Sequence, residues 1–352
     1  MREPLPAFLG NRDFTRKTQE LRATGREFWG NGACWIEVEI IGKGVVMDAI
    51  TNRILTQLGD AGLIDKLLAL PKSDLNSFLI KVFQKQASST TPIDTLKAFQ
   101  ANRFSVPSEI DPVAYHKLET EFLSLACETD IKPVLLSPCV PFASSSAFGC
   151  VDQNNVVSAV RGTEVLSDPT NMLSIIIAEQ IKNKKADNKN SLHYCTTARV
   201  LRAQTFPARK GYYSHFGIFC IVSSGKASAS YTCEKNLLLK QLAYYKKLLI
   251  EKYNAKLSVV LRKRRGYTDG DGFFNGMAEL VKKELPDVPV SFDLEDEDNN
   301  YYKGINYSIF MERENNKIEV GDGGFVDWMQ KMTNNKKERC LISGLSLDRL
   351  LI

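Results

Sequence analysis

Residues 199–225, RVLRAQTFPARKGYYSHFGIFCIVSSG, constrain the fold more than any other stretch of the chain. An alternating run breaks at Phe206-Pro207, crosses a basic loop containing Gly211, and returns as a second apolar run. Two such runs around a turn-rich segment predict an antiparallel hairpin. Residues two apart in a strand share a face, so Val200, Arg202 and Gln204 are expected to point the same way. Arg202 then sits inside the hairpin, with Arg209, Lys210 and His215 on its loop.

The flanking sequence continues the pattern. Residues 236–252 place Leu238, Leu242, Tyr245 and Leu249 along one helical stripe. A strand is expected at Leu257–Leu261 and a helix at Phe273–Leu285. Val288, Val290 and Phe292 alternate, as do Ile305, Tyr307, Ile309 and Met311. The cluster Gly321-Asp322-Gly323-Gly324 is expected to separate a strand from a helix. Upstream, Asp168 can cap a helix that starts at Pro169. Strands are expected at Asn155–Val160 and Lys132–Leu136, and Asp111-Pro112 opens a helix through Leu125. Hairpin-like strands with interspersed helices predict an α+β core, a largely antiparallel sheet flanked by helices. Residues 1–85 read as a mostly helical module: Arg12–Phe28, a short strand at Trp35–Ile41, and one helical run over Met47–Leu70. Residues 86–110, rich in Ser, Thr and Pro, are expected to link this module to a core over 111–352.

Composition excludes several classes. Hydrophobic residues are 43% and charged residues 25% of 352, an ordinary globular balance. No apolar run approaches the ~20 residues of a membrane span, and the N-terminus has no apolar core like a signal peptide's. A cytoplasmic protein without a membrane partner is expected. The eight cysteines form no CxxC pair and there are three histidines, which argues against structural zinc and a disulfide framework. Most of the cysteines are expected to be small buried hydrophobes. A net charge of +5 permits nucleotides or RNA without demanding them. The basic runs 182–189 and 262–265 and the acidic run 293–298 are expected in solvated loops.

A lone arginine on a strand face is ordinarily an ion-pair partner. Arg349, however, sits in a second apolar, glycine-containing stretch, and two guanidinium forks over one sheet would match phosphate oxygens. The string Arg202-Ala203-Gln204, Pro207, Arg209-Lys210-Gly211-Tyr212, His215-Phe216-Gly217 resembles motif 2 of class II aminoacyl-tRNA synthetases of the histidyl type. That family shows Arg-x-Glu, a basic loop with Gly-Arg-Tyr, then Phe-His-Gln and a glycine-led strand. SGLSLDRLL (343–351) resembles motif 3, with Arg349 as its arginine. YYKGINYSIF (301–310) resembles the Tyr-Tyr-x-Gly strand, and GDGGFVD (321–327) the Gly-Gly-Gly-Arg-Tyr-Asp turn. The helix at 111–128 leading to Pro138 resembles motif 1, the dimer-forming element. SDPTNML (167–173) stands where the family has Arg-Pro-Asp/Glu-x-Thr. The matches follow the family's order from about residue 111 to the end of the sequence.

The resemblance implies a homodimer with an ATP site on an antiparallel sheet. Arg202 would contact the α-phosphate and Arg349 the γ-phosphate, as the catalytic pair. Arg209 would cover the β,γ end, and Gln204, His215 and Phe216 would complete the nucleotide site. Asp168, Thr170, Tyr301, Tyr302 and Gly323 would face a small carboxylate substrate. Magnesium would bridge the phosphates, with Glu297 and Asp298 as candidate ligands. The departures fall mainly on the substrate side. Gln204 replaces the motif 2 glutamate, Phe216 replaces a glutamine, and Phe325 and Val326 replace the arginine and tyrosine of the glycine turn. The family's further arginine before Tyr-Tyr falls near Glu297. Histidine is therefore not the expected substrate. A histidyl synthetase continues into an anticodon-binding domain where this sequence stops, so ordinary tRNA charging is not expected either. Three readings stand: an adenylate-forming ligase passing its product to an amine, carrier protein or RNA; a non-catalytic sensor like the regulatory subunit of ATP phosphoribosyltransferase; and an RNA-binding module.

Overall fold

The computed structural model describes residues 48–184, 190–206, 213–294, 301–313 and 316–351. The helix expected at Arg12–Phe28 and the strand expected at Trp35–Ile41 lie outside them. The chain begins with helices α1 (Ala49–Leu58), α2 (Leu63–Leu68), α3 (Lys72–Ser88) and α4 (Pro92–Ala101). The single run expected over Met47–Leu70 is two helices, because Gly59 takes φ 68° and ends α1. α4 occupies the segment expected as a linker. Its Ser/Thr/Pro content is a start signal: Thr91 and Asp94 form a reciprocal capping box and Pro92 takes the first turn.

Then follow α5 (Pro112–Glu128), β1 (Lys132–Pro133), β2 (Cys139–Pro141), β3 (Thr163–Val165), α6 (Pro169–Lys182), β4 (Leu192–Leu201) and β5 (His215–Lys226). Next come α7 (Thr232–Lys246), β6 (Lys256–Lys263), α8 (Gly270–Glu284), β7 (Val290–Asp293), β8 (Lys303–Arg313), β9 (Asn316–Val326), α9 (Trp328–Thr333), β10 (Glu338–Ser346) and α10 (Leu347–Leu351). One sheet takes the order β1-β4-β5-β10-β9-β8-β6-β7. Its two outer pairs, β1 with β4 and β6 with β7, are parallel, and the pairs between are antiparallel. This is the expected α+β architecture.

Several boundaries differ from the sequence expectation. β1 stops at Pro133, where the strand was expected to reach Leu136. The strand expected at Asn155–Val160 is a 3-10 turn at Gln153–Asn155, followed by an isolated bridge from Ser158 to Glu164. The basic run 262–265 is not a solvated loop: Arg262 and Lys263 complete β6, and Arg264 is buried. The helix over 236–252 changes to a π-helical turn at Lys247–Lys252. The glycine cluster at 321–324 lies inside β9. These glycines serve close packing: a Cβ at Gly321 would meet the Gly344 carbonyl, one at Gly323 the Ile342 carbonyl and Tyr307, and one at Gly324 the Tyr302 ring.

The sheet is buried on both sides, so the period of two along β5 serves two cores. Phe219 and Ile221 pack with α5, α7 and α8 in one cluster. Ile218, Cys220 and Val222 pack with Leu173 and Ile177 of α6 and Trp328 and Met329 of α9 in the other. Among the described cysteines, Cys195, Cys220, Cys233 and Cys340 are buried, as expected of small hydrophobes, while Cys127 and Cys139 are exposed. The N-terminal helices are different: of α1–α4, Leu55 alone is buried, and Ile54, Phe78, Phe83 and Leu96 are exposed.

At Gly217 the strand β5 passes directly beneath Tyr115 of α5, and a Cβ there would run into the ring. Gly217→Ala should therefore lower stability by about 1–3 kcal/mol through overpacking, read as a lower urea midpoint with an unchanged slope.

Candidate functional site

The cleft lies on the α6 and α9 side of the sheet, and strand register explains its floor. Ser308 of β8, Asp322 of β9, Gly344 of β10 and Cys220 of β5 are successive cross-strand partners, so they share one face. Gly344, which carries no side chain, lines the cavity with Asp322. α6 supplies one wall. Asp168 caps it, its Oδ1 accepting from the Thr170 amide at 2.9 Å and the Thr170 hydroxyl at 2.7 Å. The other carboxylate oxygen, Oδ2, faces the Tyr301 hydroxyl at 3.4 Å. Tyr301 packs edge-on against Tyr302 and Trp328. The Tyr302 hydroxyl donates to Asp322 Oδ2 at 2.8 Å.

Arg202 stands at the mouth. β4 ends at Leu201, so Arg202 lies one residue beyond the strand that was expected to contain it. Its amide still continues the ladder, donating to the Ser214 carbonyl at 2.8 Å. Its Nε donates to the Ser167 carbonyl at 3.1 Å, and its guanidinium carbon lies 5.1 Å from the centre of the Phe216 ring. Among the described residues, its two terminal nitrogens have no hydrogen-bond partner. Asp168, Thr170, Arg202, Gln204, Tyr301 and Tyr302 all line one cavity of about 60 Å³. That volume holds a few waters or an ammonium-sized group, not a nucleotide.

The other candidates lie elsewhere. Arg349 does not line the cavity; its Nη1 donates to the Glu319 carbonyl at 2.6 Å. His215 accepts from Arg199 Nε through Nδ1 at 3.0 Å, while its Nε2 lies 2.6 Å from the Val106 carbonyl. Nε2–H is therefore the donor in that pair. Gly323 contacts Tyr307 on the opposite face. Arg209, Glu297 and Asp298 lie outside the described residues.

Asp322 also lines the cavity and is not among the residues the sequence marks for the site. It was noted as part of a glycine cluster, and the available signal was a lone acid among residues that pack as a strand. It is buried at 8% exposure. Burial raises its pKa from the ordinary 3.8 to about 6; the Tyr302 bond opposes this rise, Asp168 adds to it, and Arg202 and Arg262 counter it. Glu319 is likewise raised by burial, eased by Ser308, Arg262 and Arg349. Arg262 reaches this row by donating to the Ser308 hydroxyl at 2.6 Å.

A carboxyl whose folded pKa exceeds its unfolded one favours folding while protonated and opposes it once ionised. The Asp322 contribution is therefore full below about pH 4 and lost as pH rises through about 6. Asp322→Asn, which keeps an acceptor for Tyr302, should be about as stable as wild type at pH 4. At pH 7.5 it should be more stable by on the order of 3 kcal/mol. Urea titrations at the two pH values check this.

The sequence matches no protein-family model and no curated protein. Solved structures do share its fold. Apo histidyl-tRNA synthetase from S. aureus aligns over 70% of this chain and 68% of its own, at 14% identity and a TM-score of 0.52. An ATP phosphoribosyltransferase regulatory subunit/histidyl-tRNA synthetase from Bacillus halodurans C aligns over 70% of this chain and 82% of its own, at 12% identity and 0.52. The RNA binding domain of threonyl-tRNA synthetase from Cryptosporidium parvum Iowa II aligns over 71% and 64%, at 9% identity and 0.54. Identities this low carry the architecture and not the activity. The chain thus has the fold of the class II aminoacyl-tRNA synthetase core, as its motif order implied.

Proposed function

We propose that the cleft binds ATP together with a small, amino-bearing carboxylate and joins them as an adenylate. One observation carries this reading: Arg202, whose terminal nitrogens have no hydrogen-bond partner among the described residues, lines one cavity together with Asp168 and Asp322. A ligand that satisfies both ends has an ammonium at one end and a phosphate or carboxylate at the other. The cavity takes the ammonium, between Asp322, Asp168 and the Tyr301 hydroxyl. The larger nucleotide lies at the mouth, over Arg202 and Phe216. A carboxylate oxygen then attacks the α-phosphorus, the bond to pyrophosphate breaks, and the fixed guanidinium of Arg202 stabilises the charge that accumulates on the phosphate oxygens. The acceptor of the acyl group is an amine, a carrier protein or an RNA. A cytoplasmic homodimer, formed through the motif 1-like helix α5, belongs to the same reading.

The described residues contain no cluster of three His, Cys, Asp or Glu that could hold a metal ion. Magnesium would arrive on the ATP phosphates and neutralise part of their charge.

A specific observation favours a second reading, ligand sensing without chemistry. Arg349 lies outside the cavity, its Nη1 donating to the Glu319 carbonyl, so the second cation of a phosphate clamp does not join Arg202 there.

ATP–pyrophosphate exchange against a panel of amino acids and related carboxylates separates the two. Exchange with at least one compound is expected, and Arg202→Ala should slow it by about 10²–10³-fold. Silence across the panel with ATP still bound by calorimetry selects the sensor. Failure of the wild-type protein to bind ATP ends the nucleotide reading.

A further inference from the structure

The residue that sets Arg202 comes from outside the stretch resembling a synthetase. The β4–β5 ladder has its last pair at Leu201 and His215, and only the Arg202 amide extends it, to Ser214. Beyond that point the carbonyls of Ala203 and Gln204 accept from a donor outside the hairpin. Arg103 supplies it. Its Nη2 donates to the Ala203 carbonyl, and its Nη1 donates to the Gln204 carbonyl at 2.9 Å and to the Ser214 hydroxyl at 2.7 Å. One guanidinium thus grips both ends of the β4–β5 connection. A lysine could not, because it offers a single point of contact where the fork offers several in fixed geometry.

Arg103 is itself held in place. The Asn102 carbonyl accepts from the Ser105 amide at 3.1 Å, and its side-chain oxygen accepts from the Phe104 amide at 3.0 Å, which turns the chain just after α4. The guanidinium also lies over the Phe104 ring, 4.3 Å from its centre. Three residues on, the Val106 carbonyl accepts from His215 Nε2 at 2.6 Å, so the same segment also meets the first residue of β5. Its contacts therefore bracket Arg202 and Gln204 from both strands.

We propose that Arg103 is a positioning residue for this site. Through the carbonyls of Ala203 and Gln204 and the Ser214 hydroxyl, it holds Arg202 where its terminal nitrogens face the cavity. The segment after α4 is then part of the ligand site's construction, and the site depends on the N-terminal helices that deliver it. The ligand readout of this inference rests on the nucleotide reading above; its backbone readout does not.

The test uses the full chain with Arg103→Ala, Arg103→Lys and Ser214→Ala, the last removing one acceptor by an independent route. Amide hydrogen exchange is followed at Arg202 and Ala203, whose amides donate to Ser214 and Asn155, with residues 194–199 of β4 as internal control. ATP affinity is measured by calorimetry. Arg103→Ala should raise exchange at Arg202 and Ala203 at least tenfold with the control unchanged, and weaken ATP at least tenfold. Ser214→Ala should act in the same direction. Arg103→Lys should recover only part of either effect. Unchanged exchange at Arg202 and Ala203 overturns the proposal whether or not ATP binds. Raised exchange with wild-type ATP affinity overturns it as well. If the wild-type protein binds no ATP, the nucleotide reading fails, and the exchange result alone decides whether Arg103 positions this backbone.

Discussion

An ionisable carboxyl in the middle of a sheet must be provided for, and the ligand face is organised around providing for Asp322. Bulk water does little of it, because the side chain is nearly fully buried. Tyr302 contributes a hydroxyl, and Arg202 and Arg262 contribute opposite charge. Each provision constrains something else. Tyr302 packs over Gly324, which is why that position has no side chain. Arg262 must end β6 on the same face, which draws the basic run into the sheet. Provision falls short of full stabilisation, and the raised pKa is the residue of that shortfall.

Asp168 carries a comparable double duty. One oxygen starts α6 and the other faces Tyr301 across the cavity. The helix start and the ligand wall are therefore the same atoms, and the wall moves only if the first turn of α6 moves with it. Arg202 is tied to that turn as well, through the carbonyl of Ser167. Cation-facing and anion-facing groups of the cleft are thus linked over two adjacent residues of backbone.

Much of this was legible in the sequence where local chemistry decides structure. Asp168-Pro169 and Asp111-Pro112 marked helix starts because a short acceptor and a fixed φ leave the chain few alternatives. The second apolar run after the Gly211 loop marked β5. Reading failed where tertiary packing overrode composition. The glycines of β9 read as a turn because a sequence does not show the strand and tyrosines that crowd them. Thr91-Pro92 read as a linker because capping residues and loop residues are the same residue types. Of the residues expected at the site, Arg202, Gln204, Asp168, Thr170 and the tyrosine pair line one cavity. Asp322 was missed because its meaning lies in its register opposite Gly344, and Arg103 because its partners lie about a hundred residues away.

The strand order also has a kinetic side. β10 is last in sequence among the described strands, yet it lies between β5 and β9. Before it pairs, the sheet is two separate pieces, β1-β4-β5 and β9-β8-β6-β7, each presenting a long unsatisfied edge. The pieces cannot share a face until this strand closes the gap, and closing it joins residues that are more than a hundred positions apart, Glu338 with Lys226 among them. Pairings so distant in sequence are slow to form. A nascent chain of this topology therefore keeps two open strand edges until β10 has been made, and such edges favour pairing with other chains.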